Sequence, residues 1–146
     1  MSLADDYNLR AGQASFTDVA DFADSFEDIK TWTPTYGFIG GGTSATINTF
    51  HEAKYIKLGG GRLVYVQAAM RLDLVGTGTI VTISLPFAVS ATPFGVMYCV
   101  ADPNTGIYET MVGITELSRI DIIRRNAVNY TTGTWNFQFS GLYITT

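Results

Sequence analysis

Residues 63–74 alternate between two sets of side chains, and this pattern constrains the fold more than any other feature of the sequence. One set is apolar throughout and consists of Val64, Val66, Ala68, Met70, Leu72 and Leu74. Successive side chains of a β-strand point to opposite faces, so a period of two predicts a strand with one buried face. The alternation recurs in residues 135–140, where Trp135, Phe137 and Phe139 are predicted to face inward. The sequence therefore predicts a sheet with a hydrophobic core on one side.

Further strands are predicted over 81–85, 96–101, 107–117 and 119–124, because these segments are rich in β-branched and aromatic residues. Turn-forming residues separate the strands, among them the glycine triplets at 40–42 and 59–61. About eight short strands with regularly spaced turns are typical of a β-sandwich or jelly roll. We therefore predict a mainly β fold, an antiparallel and jelly-roll-like β-sandwich with one short N-terminal α-helix.

Acidic residues are concentrated near the start of the chain. Residues 1–30 contain seven of the 13 acidic residues and two of the nine basic ones, a net charge of −5. Residues 31–146 contain the other six acids and seven bases, a net charge of +1. A change of this kind marks a boundary between two physical environments. We divide the chain into an acidic N-terminal segment, 1–30, and a β-sandwich domain, 31–146.

The N-terminal segment carries apolar residues at steps of three and four, which predicts an amphipathic helix over about 16–29. Such a helix either packs on the sheet of its own chain or packs against copies of itself in a short bundle, since positions 16, 19, 23 and 26 follow heptad spacing. We interpret it as an assembly or attachment element. The predicted oligomer interface consists of Phe16, Val19, Phe22, Phe26 and Ile29.

The charge balance argues against two classes of partner. Charged residues make up 15% of the chain, and the formal net charge is −4. Nucleic-acid-binding and anionic-membrane surfaces depend on basic patches, which a chain with nine basic residues does not favour. Residues 1–6 carry two aspartates and no base, so no signal peptide is expected. The longest uncharged stretch, 74–101, contains three glycines and two prolines, so membrane insertion is not expected either.

The sequence holds little of the chemistry that catalysis requires. His51 is the only histidine, and no serine or cysteine motif accompanies it, although a nucleophile of either type usually depends on a histidine base. Cys99 is the only cysteine and lies in an apolar strand, which indicates a buried, inert thiol. We therefore predict a non-enzymatic protein with no catalytic residue, no metal and no cofactor.

Surface recognition is the remaining kind of chemistry. Several aromatic residues flank predicted turns or strand ends, namely Tyr36, Phe38, Tyr98, Tyr108, Tyr130 and Trp135. The segment 102–106 is the most polar connection in the second half of the chain, and loops at one end of a sandwich commonly carry binding residues. Asp102 and Asn104 could bind sugar hydroxyls while Tyr108 offers a stacking face, so these three form the predicted ligand site. An ordinary hairpin is the alternative.

Four short motifs occur in an order that resembles a known family. They are Trp32-Thr33-Pro34-Thr35, Tyr55-Ile56-Lys57-Leu58-Gly59, Ile83-Ser84-Leu85-Pro86-Phe87 and Phe139-Ser140-Gly141-Leu142-Tyr143-Ile144, and the strand segment Leu63-Val64-Tyr65-Val66 lies between the second and the third. In this order they resemble the C-terminal β-domains of tailed-bacteriophage tail-fibre and minor structural proteins. The resemblance spans about residues 32–145, and residues 1–30 have no part in it.

The resemblance implies a homotrimeric virion protein, such as a tail-fibre, baseplate or receptor-binding component. It would contact a host-surface saccharide or other virion proteins. Two other classes remain open from the sequence, a bacterial carbohydrate-binding or adhesin-like module and a capsule-degrading hydrolase.

Overall fold

In a computed structural model, which describes residues 29–58, 62–90, 96–125 and 128–146, these residues form nine β-strands. The strands are β1 (Lys30–Thr31), β2 (Tyr36–Ile39), β3 (Gly42–Leu58), β4 (Leu63–Gly76), β5 (Ile80–Ser84), β6 (Val96–Asp102), β7 (Glu109–Glu116), β8 (Arg119–Arg124) and β9 (Gly133–Ile144). The predicted helix lies outside the described residues except for its last residue, Ile29, which is exposed beside β1.

The strands join in one sheet with the order β1-β3-β4-β9-β6-β7-β8-β5-β2. Every neighbouring pair is antiparallel, and the sheet curls into a half-barrel. The mainly β, antiparallel fold predicted from the sequence is therefore confirmed. We call the face inside the curl the inner face and the opposite face the outer face.

The core covers the inner face, and its centre is the pairing of β4 with β9. Met70 lies opposite Phe137 and Leu72 lies opposite Trp135, all with side chains buried. The apolar set of β4 named above is buried at every one of its six positions. Both alternating segments thus form strands with the predicted face inward, which is how period-two patterning acts in a half-buried sheet.

Cys99 belongs to the same core, where β6 pairs with β9 and places it opposite Phe139. Burial raises the pKa of the thiol to about 12, because a thiolate loses its hydration there. The predicted burial of the thiol is confirmed.

The first glycine triplet forms the turn between β2 and β3. Gly40 and Gly41 adopt φ values of 75° and 110°, which L-residues with a side chain rarely adopt. A Cβ at Gly41 would also lie 2.7 Å from the carbonyl oxygen of Thr77 in the β4–β5 connection. The backbone freedom of glycine therefore permits the close approach of two turns at this corner of the curl.

Tyr130 fixes the segment between β8 and β9 to the same corner. Its backbone exchanges two hydrogen bonds with Gly78, of 2.8 and 3.2 Å, and its hydroxyl donates to the carbonyl oxygen of Ile122 at 3.2 Å. The ring makes edge-to-face contacts with Phe38 and Trp135, at centroid distances of 6.2 and 5.1 Å. Since Phe38 lies on β2 and Trp135 on β9, this one buried ring connects distant strands of the sheet.

We expect Phe137→Ala to lower the free energy of unfolding by about 3 to 5 kcal/mol, because it removes a fully buried ring at the centre of the core. Chemical denaturation followed by tryptophan fluorescence measures the change. Gln138→Ala is the matched control, since Gln138 is the next residue of β9 and faces outward, and it should cost less than about 0.5 kcal/mol. Equal losses for the two variants would contradict this assignment of faces.

Candidate binding groove

Asp102, one of the three predicted ligand residues, is the last residue of β6, and its side chain is only 2% exposed. Its Oδ1 accepts hydrogen bonds from the backbone N–H groups of Thr105 and Gly106, at 2.8 and 3.1 Å, and from the Thr105 hydroxyl at 3.0 Å. Its Oδ2 accepts from the Asn136 amide at 3.2 Å. The carboxylate is therefore used to hold the loop 103–106 in place.

The other two predicted ligand residues remain at the surface. Asn104 is exposed at the loop tip with a φ of 60°, and Tyr108 is half-exposed just before β7. The structure thus brings Asp102 into the base of the loop and leaves Asn104 and Tyr108 facing solvent. Ligand binding by this loop stays a prediction, and it depends on Asn104 and Tyr108.

The predicted oligomer interface is described only at Ile29, whose side chain is 71% exposed. Phe16, Val19, Phe22 and Phe26 lie outside the described residues. His51, the one histidine of the sequence, is exposed on β3.

A polar depression crosses the outer face of the sheet over β3, β4, β9 and β6. We call it the outer groove; it has a volume of about 390 Å³ and is lined by Glu52, Gln67, Ala68, Ala69, Tyr98, Val100, Gln138, Phe139 and Ser140. With strands about 4.8 Å apart, four strands give a groove roughly 14 Å long.

The register of β3, β4, β9 and β6 aligns the outward side chains of the outer groove in two adjacent rows across the strands. One row runs Glu52, Ala69, Gln138, Val100, and the next runs Lys54, Gln67, Ser140, Tyr98. Ala69 and Ser140 are the small residues of these rows, and each lies opposite a glutamine on the neighbouring strand. The depression lies over these two small side chains.

Glu52 supplies the charge of the outer groove and is held by two neighbours. Gln67 Nε2 donates to Glu52 Oε1 at 2.8 Å, and Lys54 Nζ lies 2.7 Å from Glu52 Oε2. The hydrogen bond and positive charge of Lys54, with help from Gln67, lower the pKa of the Glu52 carboxyl against the opposing effect of burial. Glu52 is therefore ionised near neutral pH and acts only as a hydrogen-bond acceptor.

Tyr98 forms one end of the outer groove, with 62% of its side chain exposed. It lies opposite Ser140 on β9 and opposite Val112 on β7, which is also exposed. The strand fixes its backbone while the ring remains accessible, so it presents a flat apolar surface beside the amides of Gln67 and Gln138. An aromatic ring next to hydrogen-bonding groups suits a ligand with apolar faces and polar edges.

A hydrogen-bonded row adjoins the outer groove and connects it to the loop 103–106. Arg71 Nε donates to Asn136 Oδ1 at 2.8 Å, and Asn136 in turn donates to Asp102. In the row beyond, Asp73 accepts from Thr134 at 2.6 Å and from Asn48 at 2.9 Å. These bonds fix the polar end of the outer face, so the groove and the predicted ligand loop lie on one continuous surface.

Sequence reasoning placed Tyr98 among the aromatic residues near strand ends but did not single it out. The signal that could have found it is the alternation of Tyr98 and Val100 with Met97 and Cys99, which assigns the first pair to the outer face. Nothing in the local sequence joins Glu52 to Gln67, because their contact depends on the register between two strands.

Comparison of the chain with protein-family models, curated proteins and solved structures finds no match. Within the described ranges, the fold contains no helix of the length and hydropathy needed to span a membrane.

We expect Asp102→Asn to lower the melting temperature at pH 7, because the amide cannot replace an ionised acceptor of several hydrogen bonds. Burial acts to raise the pKa of Asp102, but the bonds from Thr105, Gly106 and Asn136 outweigh it, so the folded pKa lies below its ordinary value of about 3.9. The stabilisation of the folded state by the ionised Asp102 carboxylate is therefore complete above about pH 5. It is lost as the pH falls through the pKa of Asp102 in the folded state.

Thermal unfolding of both proteins between pH 7 and pH 2.5 tests this prediction. The difference in melting temperature should shrink as the pH falls below about 4. A difference that stays constant over the whole range would contradict a stabilising role for the ionised carboxylate.

Proposed function

We propose that this chain is a non-enzymatic structural protein of a bacteriophage virion, a tail-fibre, baseplate or receptor-binding component, that recognises a saccharide on the host surface. The observation that carries the recognition part is the outer groove, which sets an exposed tyrosine beside a carboxylate, two amides and a hydroxyl. The virion part rests on the order of the motifs between residues 32 and 145.

The chemistry of the outer groove suits a saccharide. Sugar rings present polar hydroxyls at their edges and apolar C–H groups on their faces. Glu52, Gln67 and Gln138 can exchange hydrogen bonds with the hydroxyls, while the Tyr98 ring can stack on a face. An open groove of this kind binds weakly in one copy, so the affinity of the whole particle would come from repeated copies.

For the finer fold we propose a jelly-roll-like sandwich, in which the half of the sheet with β3, β4, β9 and β6 faces the half with β7, β8, β5 and β2. Trp32 supports this arrangement, because its backbone N–H donates to Ala53 on β3 while its indole N–H donates to Ser84 on β5. These bonds, both 3.0 to 3.2 Å, connect the two halves. Tyr130, placed between Phe38 and Trp135, makes a second connection.

The proposed assembly is a homotrimer. Exposed apolar side chains of β3 support it, in particular Ile47 and Phe50, because association commonly covers such surfaces. The apolar periodicity of residues 16–29 supplies further surface of the same kind.

Light scattering on the full chain at micromolar concentration should give three times the mass of one chain. The double variant Phe22→Ser/Phe26→Ser should shift this mass toward that of a monomer, because it removes apolar contact area from the predicted interface. A monomer mass for the unaltered chain would overturn the assembly, although the groove proposal would stand.

Tyr98→Ala should weaken glycan binding about tenfold, because it removes the stacking surface of the outer groove. The measurement is binding of the purified chain to immobilised glycans. The melting temperature should change little, since the side chain is mostly exposed.

Tyr108→Ala is the matched variant for the alternative site, the loop that follows β6. Loss of binding for Tyr98→Ala alone supports the outer groove, whereas loss for Tyr108→Ala alone places the ligand at the loop. Full binding by both variants would contradict recognition through either tyrosine.

A further inference from the structure

A second depression adjoins the outer groove on the outer face. We call it the apolar hollow; it has a volume of about 130 Å³ and is lined by Ile29, Lys54, Tyr55, Ile56, Tyr65 and Gln67. Ile56 and Tyr65 are cross-strand partners on β3 and β4 and form its apolar floor. The Glu52 carboxylate holds the ammonium group of Lys54 at 2.7 Å, so this charge is already compensated.

Gln67 lines both depressions and stands at the boundary between them. Tyr65 lies two residues away on the same face of β4, a distance of about 7 Å along a strand. A substituent on a molecule bound in the outer groove therefore needs to reach only about 7 Å to enter the apolar hollow.

The hydrogen bond from Gln67 to Glu52 determines which atom of the amide remains available. Since ionised Glu52 only accepts, Gln67 presents its NH₂ group to that carboxylate, at 2.8 Å. No group in the described part of the chain donates to Gln67 Oε1. The boundary between the two depressions therefore carries a carbonyl oxygen that can accept one further hydrogen bond.

From this juxtaposition we propose that the saccharide bound in the outer groove is a neutral sugar with an acetamido group, an N-acetylhexosamine. Its amide N–H donates to Gln67 Oε1, and its methyl group enters the apolar hollow between Ile56 and Tyr65. The inference rests on the proposed function and adds the class of ligand that the groove selects.

Size and polarity argue against other occupants of the apolar hollow. A volume of about 130 Å³ takes a group of a few atoms but not a helix or an acyl chain. A hydroxyl in place of the acetamido group would leave the hollow unfilled, and a polar group between Ile56 and Tyr65 would lose hydration without a partner. An anionic substituent would find no uncompensated cation in this lining, because the ammonium group of Lys54 is already paired with Glu52.

The experiment uses the full chain and matched pairs of immobilised sugars, glucose with N-acetylglucosamine and galactose with N-acetylgalactosamine, each as short oligomers. At least one acetylated member should bind about tenfold more tightly than its partner, because it adds one hydrogen bond and one buried methyl group. Binding without preference for the acetylated member would overturn this inference but leave the proposed function standing. Binding of neither pair nor of any other neutral glycan would overturn both.

Two variants locate the preference. Gln67→Leu removes the accepting carbonyl oxygen with little change in side-chain volume, and Ile56→Ser removes apolar surface from the hollow. Each should reduce the preference for the acetylated sugar to about onefold. Ile56 does not line the outer groove, so Ile56→Ser should also leave binding of the unacetylated partner little changed. Ile144→Ser is the matched control, because Ile144 is exposed on the same face but lines neither depression, and it should keep the preference. Loss of the preference in this control alone would place the acetyl contact elsewhere.

Discussion

The pairing of β4 with β9 is the constraint on which the rest of the structure depends. The register that sets Met70 against Phe137 on the inner face also sets Ala69 against Gln138 on the outer face. Because the side-chain period of a strand is two, a slip of one residue would exchange the two faces along a whole strand. The burial of Met70, Leu72 and Phe137 therefore stabilises the arrangement of the outer groove as well as the core.

The inner face was predictable from sequence where its signal is local. Met70 and Phe137 belong to segments whose alternation is uninterrupted, so their burial could be predicted. Strand β3 differs, because irregularities between 42 and 44, 47 and 49, and 50 and 52 shift its register against β4. Because of the shift between 50 and 52, Glu52 faces the outer groove although Phe50, two residues earlier, faces inward. Simple alternation along β3 would place both residues on one face.

Asp102 shows a different limit of sequence reasoning. A polar segment between two apolar strands indicated an exposed site, yet the carboxylate turns back to the N–H groups of Thr105 and Gly106. An aspartate at the start of a turn commonly accepts hydrogen bonds from the backbone of that turn. The sequence around Asp102 therefore favoured a structural role for its carboxylate over ligand binding. The carboxylates of Asp73 and Glu52 are fixed by neighbours in the same way, which keeps the outer face in one arrangement before a ligand binds.

We place the proposed association and the proposed recognition on opposite faces of β3. Ile47 and Phe50 lie opposite Leu72 and Met70 on the inner face, but both are nearly half exposed, because no described segment of the chain covers the middle of β3 on that side. Apolar side chains in this position suit contact with a second copy of the chain. Glu52 points to the other face of the same strand, so a subunit packed against Phe50 would leave the outer groove open. An assembly formed in this way would present several grooves at once, which is the condition under which weak saccharide contacts combine.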